Sequence, residues 1–181
     1  MKIILETERL YLRQFTTDDS AFILELVNTE GWLRFIGNRN ISNLEQAQNY
    51  LVNGPIKSYQ TYGYGLCMVQ LKSSNEAAGM CGFIKRDSLE NIDLGFAFLP
   101  QFTGNGYAFE IAKMTVNYGF EQLQQKKIAA ITLPQNDRSI RLLNKLDFVY
   151  EKNIHPEDSK EELQLFGLDK ERYIQMNAGT F

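Results

Sequence analysis

The sequence predicts a mixed α/β domain of the α+β kind, with a mostly antiparallel sheet flanked by helices and one parallel strand pair. Three observations predict it. Between Tyr64 and Leu99, three apolar runs of strand length are separated only by short polar turns, the pattern of an antiparallel meander. The last run leads through a glycine turn into a long helical pattern and then into a compact apolar strand. That order calls for a right-handed crossover and parallel pairing. Finally, no linker, repeat or low-complexity tract divides the 181 residues, a length that suits one domain with a substantial core. Residues 1–181 are therefore expected to form a single domain.

In chain order, Leu5 to Gln14 places Leu10, Tyr11 and Leu12 among polar neighbours, as a half-buried first strand does. Thr16-Thr17-Asp18-Asp19 is an N-cap cluster, and Phe22, Ile23, Leu26 and Val27 recur at helical spacing up to about Asn28. Glu30 to Asn40 reads as irregular, with Gly31 and Gly37 around Trp32. Ser42-Asn43-Leu44-Glu45 opens a second helix through Tyr50 and Leu51, continuing past Pro55 to Tyr59. The meander follows: Tyr64–Leu71, a turn at Lys72–Glu76, Ala78–Ile84, a turn at Asp87–Asn91, and Ile92–Leu99. Tyr107 to Leu123 is helical, with Ala108, Ile111, Ala112, Thr115 and Gly119 on one face small enough to lie close on a sheet. Lys127–Leu133 is a buried strand ended by Pro134. Asn136–Ser139 caps a short helix through Leu146, and Phe148–Tyr150 and Leu163–Leu168 close the fold around a polar loop, Asn153–Glu162.

Composition excludes several classes. The hydrophobic fraction of 44% and charged fraction of 23% are those of an ordinary globular protein. A net charge of -3 argues against broad phosphate neutralisation, so no nucleic-acid partner is expected. No apolar run approaches the roughly 18 residues of a membrane span, so no membrane partner is expected either. Cys67 and Cys81 form no CxxC, and His155 is the single histidine. Neither a disulfide framework nor a metal site is expected, and the cytoplasm is the expected compartment.

The stretch that carries chemistry is Leu94–Glu110. An apolar strand ends at Pro100, two glycines alternate at Gly104 and Gly106, and a helix starts. Backbone N–H groups and the positive end of a helix dipole converge there, as at an anion site. A Walker loop needs GxxxxGK[ST], which is absent, and a dinucleotide fingerprint needs a third glycine where Phe109 stands. A turn of purely structural purpose stays open, since glycine is the default residue for positive φ.

Gln101-x-x-Gly104-x-Gly106-Tyr107-Ala108 resembles the acetyl-CoA pyrophosphate loop of the GNAT N-acetyltransferases. Asn136-x-x-Ser139, followed by Leu142-Leu143-x-x-Leu146-Asp147-Phe148, is similar to that family's second motif, with Asp147 where glycine is usual. The amino-terminal Glu6-Thr7-Glu8-Arg9-Leu10-x-Leu12-Arg13 resembles the branch of ribosomal-protein N-terminal acetyltransferases of the RimJ/RimL type. The resemblance covers essentially the whole chain and implies the GNAT fold, acetyl-CoA as cosubstrate without a metal, and transfer of acetyl to a primary amine. That amine would belong to a protein N-terminus or a small molecule. A catalytically silent CoA-binding module and a plain interaction domain are the alternatives.

By the same resemblance, Gln101, Gly104, Asn105, Gly106, Tyr107 and Ala108 hold the pyrophosphate, while Phe96, Phe98 and Leu99 flank the pantetheine arm. Asn136 and Ser139 complete the cofactor site. Ser139 stands where a hydrogen-bond donor to the departing thiolate is proposed, Leu143 occupying the position of the tyrosine used by many relatives. Asp93 stands where the branch often has a glutamate base; a salt-bridged strand residue is the other reading. Trp32, Phe35, Tyr59, Tyr62 and Tyr64 are candidates for an acceptor pocket or for core. Glu110 is expected to complement the helix dipole, and His155 to be an exposed bystander. A homodimer is the assembly that the resemblance offers.

Overall fold

The computed structural model describes residues 2–156 and 161–178, so the polar loop after Asn153 falls partly outside the described residues. Eight strands pair in the order β1-β2-β3-β4-β5-β6-β8-β7: β1 (Ile3–Glu6), β2 (Leu10–Arg13), β3 (Leu66–Leu71), β4 (Ala77–Ile84), β5 (Asp93–Phe98), β6 (Lys127–Thr132), β7 (Val149–Ile154) and β8 (Leu163–Asp169). Pairing is antiparallel except between β5 and β6, which run parallel with Asp93 opposite Ala129. The predicted fold class is the one observed. By contact density the chain groups into two compact units, residues 1–84 with 95–112, and residues 85–94 with 113–181.

In the first unit, the expected single strand Leu5–Gln14 is two strands. The Thr7 N–H donates to the Leu10 carbonyl at 2.9 Å and the Leu10 N–H to Thr7 Oγ1 at 3.1 Å, which reverses the chain between β1 and β2. A threonine hydroxyl makes this turn, so neither glycine nor proline marks it. The helices between β2 and β3 are α1 (Ser20–Val27), α2 (Glu30–Phe35), α3 (Leu44–Leu51) and α4 (Lys57–Tyr62). α2 corrects the irregular reading of Glu30–Asn40: Thr29 caps it by accepting from the Trp32 N–H at 3.3 Å, and Gly37 at φ +104° follows its end. A π turn over Val52–Ile56 absorbs Pro55, which has no N–H to donate to the carbonyl four residues back as a regular α-helix requires.

This helical region shares a core with the sheet through Phe15, Ile23, Leu26, Leu51, Met68 and Met80. Trp32 and Tyr59 belong to that structure. Trp32 is 4% exposed, and the Tyr59 hydroxyl accepts from the Phe15 N–H at 3.2 Å and donates to the Leu66 carbonyl. Beside them, Arg13 on β2 forks onto Asp19 at 2.8 and 2.9 Å. Tyr62 is exposed and stacks on Tyr64 at 5.9 Å. Where β4 meets the end of β5, a Cβ on Gly79 would lie 2.4 Å from the Ala97 carbonyl, so only glycine permits this approach.

The second unit packs β6 and β8 with α6 (Asp137–Lys145) over Phe120, Ile128, Leu143, Leu146, Phe148, Phe166 and Leu168. Phe120 belongs to α5 (Tyr107–Glu121), whose predicted small-residue face is buried at Ile111, Ala112, Thr115 and Gly119 and half-buried at Ala108. Asp147 lies in the left-handed region at φ +65°, just past α6, with the Phe148 N–H closing onto Leu143 O at 3.1 Å. β7 extends to Ile154, beyond the expected Phe148–Tyr150, as an exposed polar strand. A seventh helix, α7 (Lys170–Ala178), has no apolar periodicity to announce it. It is held by Tyr173 stacked on Phe120 at 4.6 Å and by Arg172 Nε on the Asp147 carbonyl at 3.0 Å.

Candidate active site

The glycine turn is built from the end of β5. Leu99 leads into a 3-10 turn over Pro100–Phe102, and both the N–H and the hydroxyl of Thr103 donate to the Pro100 carbonyl, at 3.2 and 2.8 Å. Gly104 (φ +82°) and Gly106 (φ +80°) are both left-handed, a conformation that costs other residues about 1–2 kcal/mol. A Cβ on Gly104 would meet nothing within 4 Å, so the requirement there is conformational and the space outside it is open. α5 starts at Tyr107; the Glu110 N–H is the first to bond back, to the Gly106 carbonyl at 3.1 Å, so the N–H groups of the three residues before it have no acceptor within the helix. The residues thus form a cradle of amides at the positive end of a fifteen-residue helix.

The β1–β2 turn is pinned to this cradle. Glu110, in the first turn of α5, accepts from Thr7 Oγ1 at 2.6 Å, from the Arg9 N–H at 3.0 Å and from Arg9 Nε at 2.7 Å. Arg9 Nη1 donates to the Asn105 carbonyl at 3.1 Å, and its guanidinium lies 4.6 Å over the Tyr107 ring. Burial alone would raise the Glu110 pKa, but the bonds from Thr7 and Arg9 outweigh it and hold the carboxyl below its ordinary value. Glu110 therefore has named partners beyond the helix dipole. In the sequence, Thr7 and Arg9 stand out only as parts of a motif, and no local signal links them to Glu110, 103 and 101 positions away.

Asp93, the first residue of β5, is 2% exposed and accepts from Arg86 Nε at 3.0 Å. Burial pushes its carboxyl up to about 6, although Arg86 pulls the other way. Such a carboxylate takes and releases a proton near neutral pH. Asn136 is the N-cap of α6, its Oδ1 accepting from the Ser139 N–H at 3.2 Å, which leaves its amide Nδ2 without a partner among the described residues. Ser139 is half-buried in the first turn of that helix, and its hydroxyl likewise has no partner among the described residues. Leu143 is 1% exposed in the core, where a tyrosine hydroxyl would be buried. Phe96 and Phe98 are half-buried on β5. Leu99 is buried, with its N–H given to Ala78 O at 2.9 Å and its carbonyl accepting from Phe102 at 3.0 Å. His155 is exposed and pairs with Glu162 at 3.2 Å.

The glycine cradle with Arg9 and Glu110 lies in the first unit, and Asp93, Arg86, Asn136 and Ser139 lie in the second. Among the described residues, no cluster of three or more His, Cys, Asp or Glu side chains is placed to hold a metal ion. No described helix is long and apolar enough to cross a membrane.

The acetyltransferase (GNAT) domain family model matches residues 9–149. The chain belongs to the GNAT acetyltransferase family. It is similar to YoaA, an uncharacterized N-acetyltransferase of Bacillus subtilis (strain 168), with 30% identity over 146 residues, 80% of this chain and 82% of the relative. Its fold is similar to the ribosomal-protein-S5-alanine acetyltransferase of Vibrio fischeri, at a TM-score of 0.74 and 17% identity over 91% of this chain and 95% of the other. It is also similar to the spermidine N-acetyltransferase of Vibrio cholerae in complex with CoA and spermine, at a TM-score of 0.76 and 17% identity over 93% and 99%. This GNAT acetyltransferase is thus an acyltransferase of a family that uses acetyl-CoA.

Proposed function

We propose that the protein moves an acetyl group from acetyl-CoA to a primary amine by direct attack, as a single domain of the RimJ/RimL type in the cytoplasm. One observation carries the reading. Gly104–Ala108 forms a cradle of backbone amides, with open space at Gly104, at the start of α5 in a GNAT chain. These residues suit a pyrophosphate, because two left-handed glycines and a helix N-terminus offer donors and no obstructing side chain. Gln101 stands just before the cradle and Asn105 within it, between the two glycines. The RimJ/RimL assignment is supported by the Thr7-Glu8-Arg9-Leu10 stretch, and the compartment by Cys67 and Cys81, both buried and joined in no disulfide.

Acetyl-CoA supplies an activated thioester; the chain supplies positioning and proton handling. Phe96 and Phe98 flank the pantetheine arm. Leu99, whose N–H and carbonyl are both engaged, contributes packing only. As the C–N bond forms and the C–S bond breaks, the amine loses a proton, which Asp93 accepts through water. A buried carboxyl near 6 is poised for this at neutral pH. The departing sulfur gains a hydrogen bond from Ser139, which suffices because a thiol of pKa about 8.5 leaves readily. Asn136 holds Ser139 in place through the α6 cap and offers its Nδ2 to the arm.

Calorimetry with CoA, followed by thiol release from acetyl-CoA against a panel of Ala- and Ser-initiated peptides, spermidine and other amines, tests the proposal. Binding with turnover on one acceptor class is expected. No heat with CoA would sink it, whereas binding without turnover on any amine would favour the silent module.

A further inference from the structure

We infer that Arg9 is a positioning residue for the acetyl-CoA pyrophosphate, holding the shape of the glycine cradle and cancelling the charge of Glu110 beside it. The inference rests on the acetyl-CoA reading of Gly104–Ala108 and goes beyond it, because Arg9 lies outside that loop.

The geometry gives Arg9 two tasks at once. Its Nη1 holds the Asn105 carbonyl at 3.1 Å, between the two glycines whose left-handed angles define the cradle. Its Nε and Nη2 hold Glu110 Oε2 at 2.7 and 2.6 Å. A planar fork makes these bonds in one orientation, which a lysine ammonium cannot do. Stacking over Tyr107 fixes that plane against the first residue of α5.

The electrostatic consequence concerns Glu110. A carboxylate in the first turn suits the helix dipole but lies next to the place proposed for an anionic pyrophosphate. Its three donors neutralise and orient it: Thr7, the Arg9 backbone and the Arg9 guanidinium. The Arg9 side chain is 44% exposed, and Nη2 passes 3.5 Å from where a Cβ on Gly106 would be. A guanidinium has five N–H donors, so Nη1 and Nη2 each keep one that these contacts do not use. A cation with spare donors therefore stands at the edge of the cradle.

The test compares ligands with and without a pyrophosphate. Wild type, Arg9→Gln, Arg9→Lys, Glu110→Gln and the Arg9→Gln/Glu110→Gln pair are titrated with CoA and assayed with acetyl-CoA and S-acetylpantetheine. Arg9→Gln is expected to weaken CoA binding and raise the acetyl-CoA KM by about tenfold, the loss of a charge-assisted contact. Its kcat and its KM for S-acetylpantetheine should be unchanged. Glu110→Gln should bind CoA at least as tightly as wild type, and the double variant should recover only the part of the loss that comes from the uncompensated Glu110 charge, the hold on the Asn105 carbonyl staying absent. Arg9→Lys, which keeps the charge and loses the fork, should fall between and remain informative if Arg9→Gln does not fold. Equal losses on both thioesters, or none on either, would overturn the inference, leaving Arg9 a purely structural clamp. Wild type that gives no heat with CoA would instead refute the acetyl-CoA reading itself.

Discussion

The Asp93→Asn substitution separates the two readings of that residue. The carboxyl is 2% exposed, and burial moves it from the ordinary 3.8 to about 6 despite Arg86. At about 1.36 kcal/mol for each pH unit, this difference is worth about 3 kcal/mol. The sign follows from which state holds the proton. Between pH 3.8 and about 6 the unfolded chain has released it while the folded chain still binds it. Stability from this residue is therefore complete below pH 3.8 and is lost as pH rises through about 6. In the Asp93→Asn variant that dependence vanishes. Asp19 and Glu110, both held below their ordinary values, act in the opposite direction but are common to both proteins and cancel in the comparison. Urea unfolding of both proteins from about pH 4 to about pH 8 measures the difference. The wild type is expected to lose most of this, about 2 kcal/mol or slightly more, relative to the variant across the window. The rate profile should agree: wild-type kcat/KM rises through about pH 6, and the variant loses that limb with a drop of about 10²-fold or more. A stability difference that stays flat across that range would refute the raised pKa. A variant that keeps the limb would remove Asp93 from proton transfer.

Gly106→Ala forces a side chain into φ +80°, so a loss of about 1–2 kcal/mol in stability is expected, together with a clear rise in the CoA dissociation constant by calorimetry. Stability loss without any change in CoA affinity would mean that the turn is only structural. Asn136→Ala removes the α6 cap, so thermal unfolding should report about 1 kcal/mol of destabilisation, and unchanged stability would deny the capping role.

Much of the fold is legible locally. The Tyr64–Leu99 meander, α5 and the parallel strand after it follow from apolar periodicity within single segments, and Asp147 in the left-handed region follows from its place just past a helix. Elements made by other physics escape. The β1–β2 reversal depends on a threonine side chain standing in for a turn residue. α2 hides because Gly31 breaks its pattern, although Thr29 and Glu30 mark its start. α7 is polar, so only its packing on Phe120 and the Asp147 carbonyl reveals it. The glycine cradle is readable because its chemistry lies within a few residues. The partners that tune the site are not: Arg86 reaches Asp93 across a turn, and Arg9 reaches Glu110 across the fold.

The bond from Arg9 to Glu110 also governs when the cradle can form. Its ends are 101 residues apart in the chain. Closing a loop of that length costs about 4 kcal/mol of chain entropy, a value that grows only logarithmically with length. Insertions in the intervening helical region are therefore cheap for the contact in thermodynamic terms. Folding rate is a different matter, because contacts so remote in sequence form after local ones. During synthesis, α5 emerges long after the β1–β2 turn, so Thr7 and Arg9 wait for their partner while the helices and the meander between them are made. The glycine turn at the start of α5 is thus among the last parts of its unit to acquire its contacts, although its glycines are set from the moment they are translated.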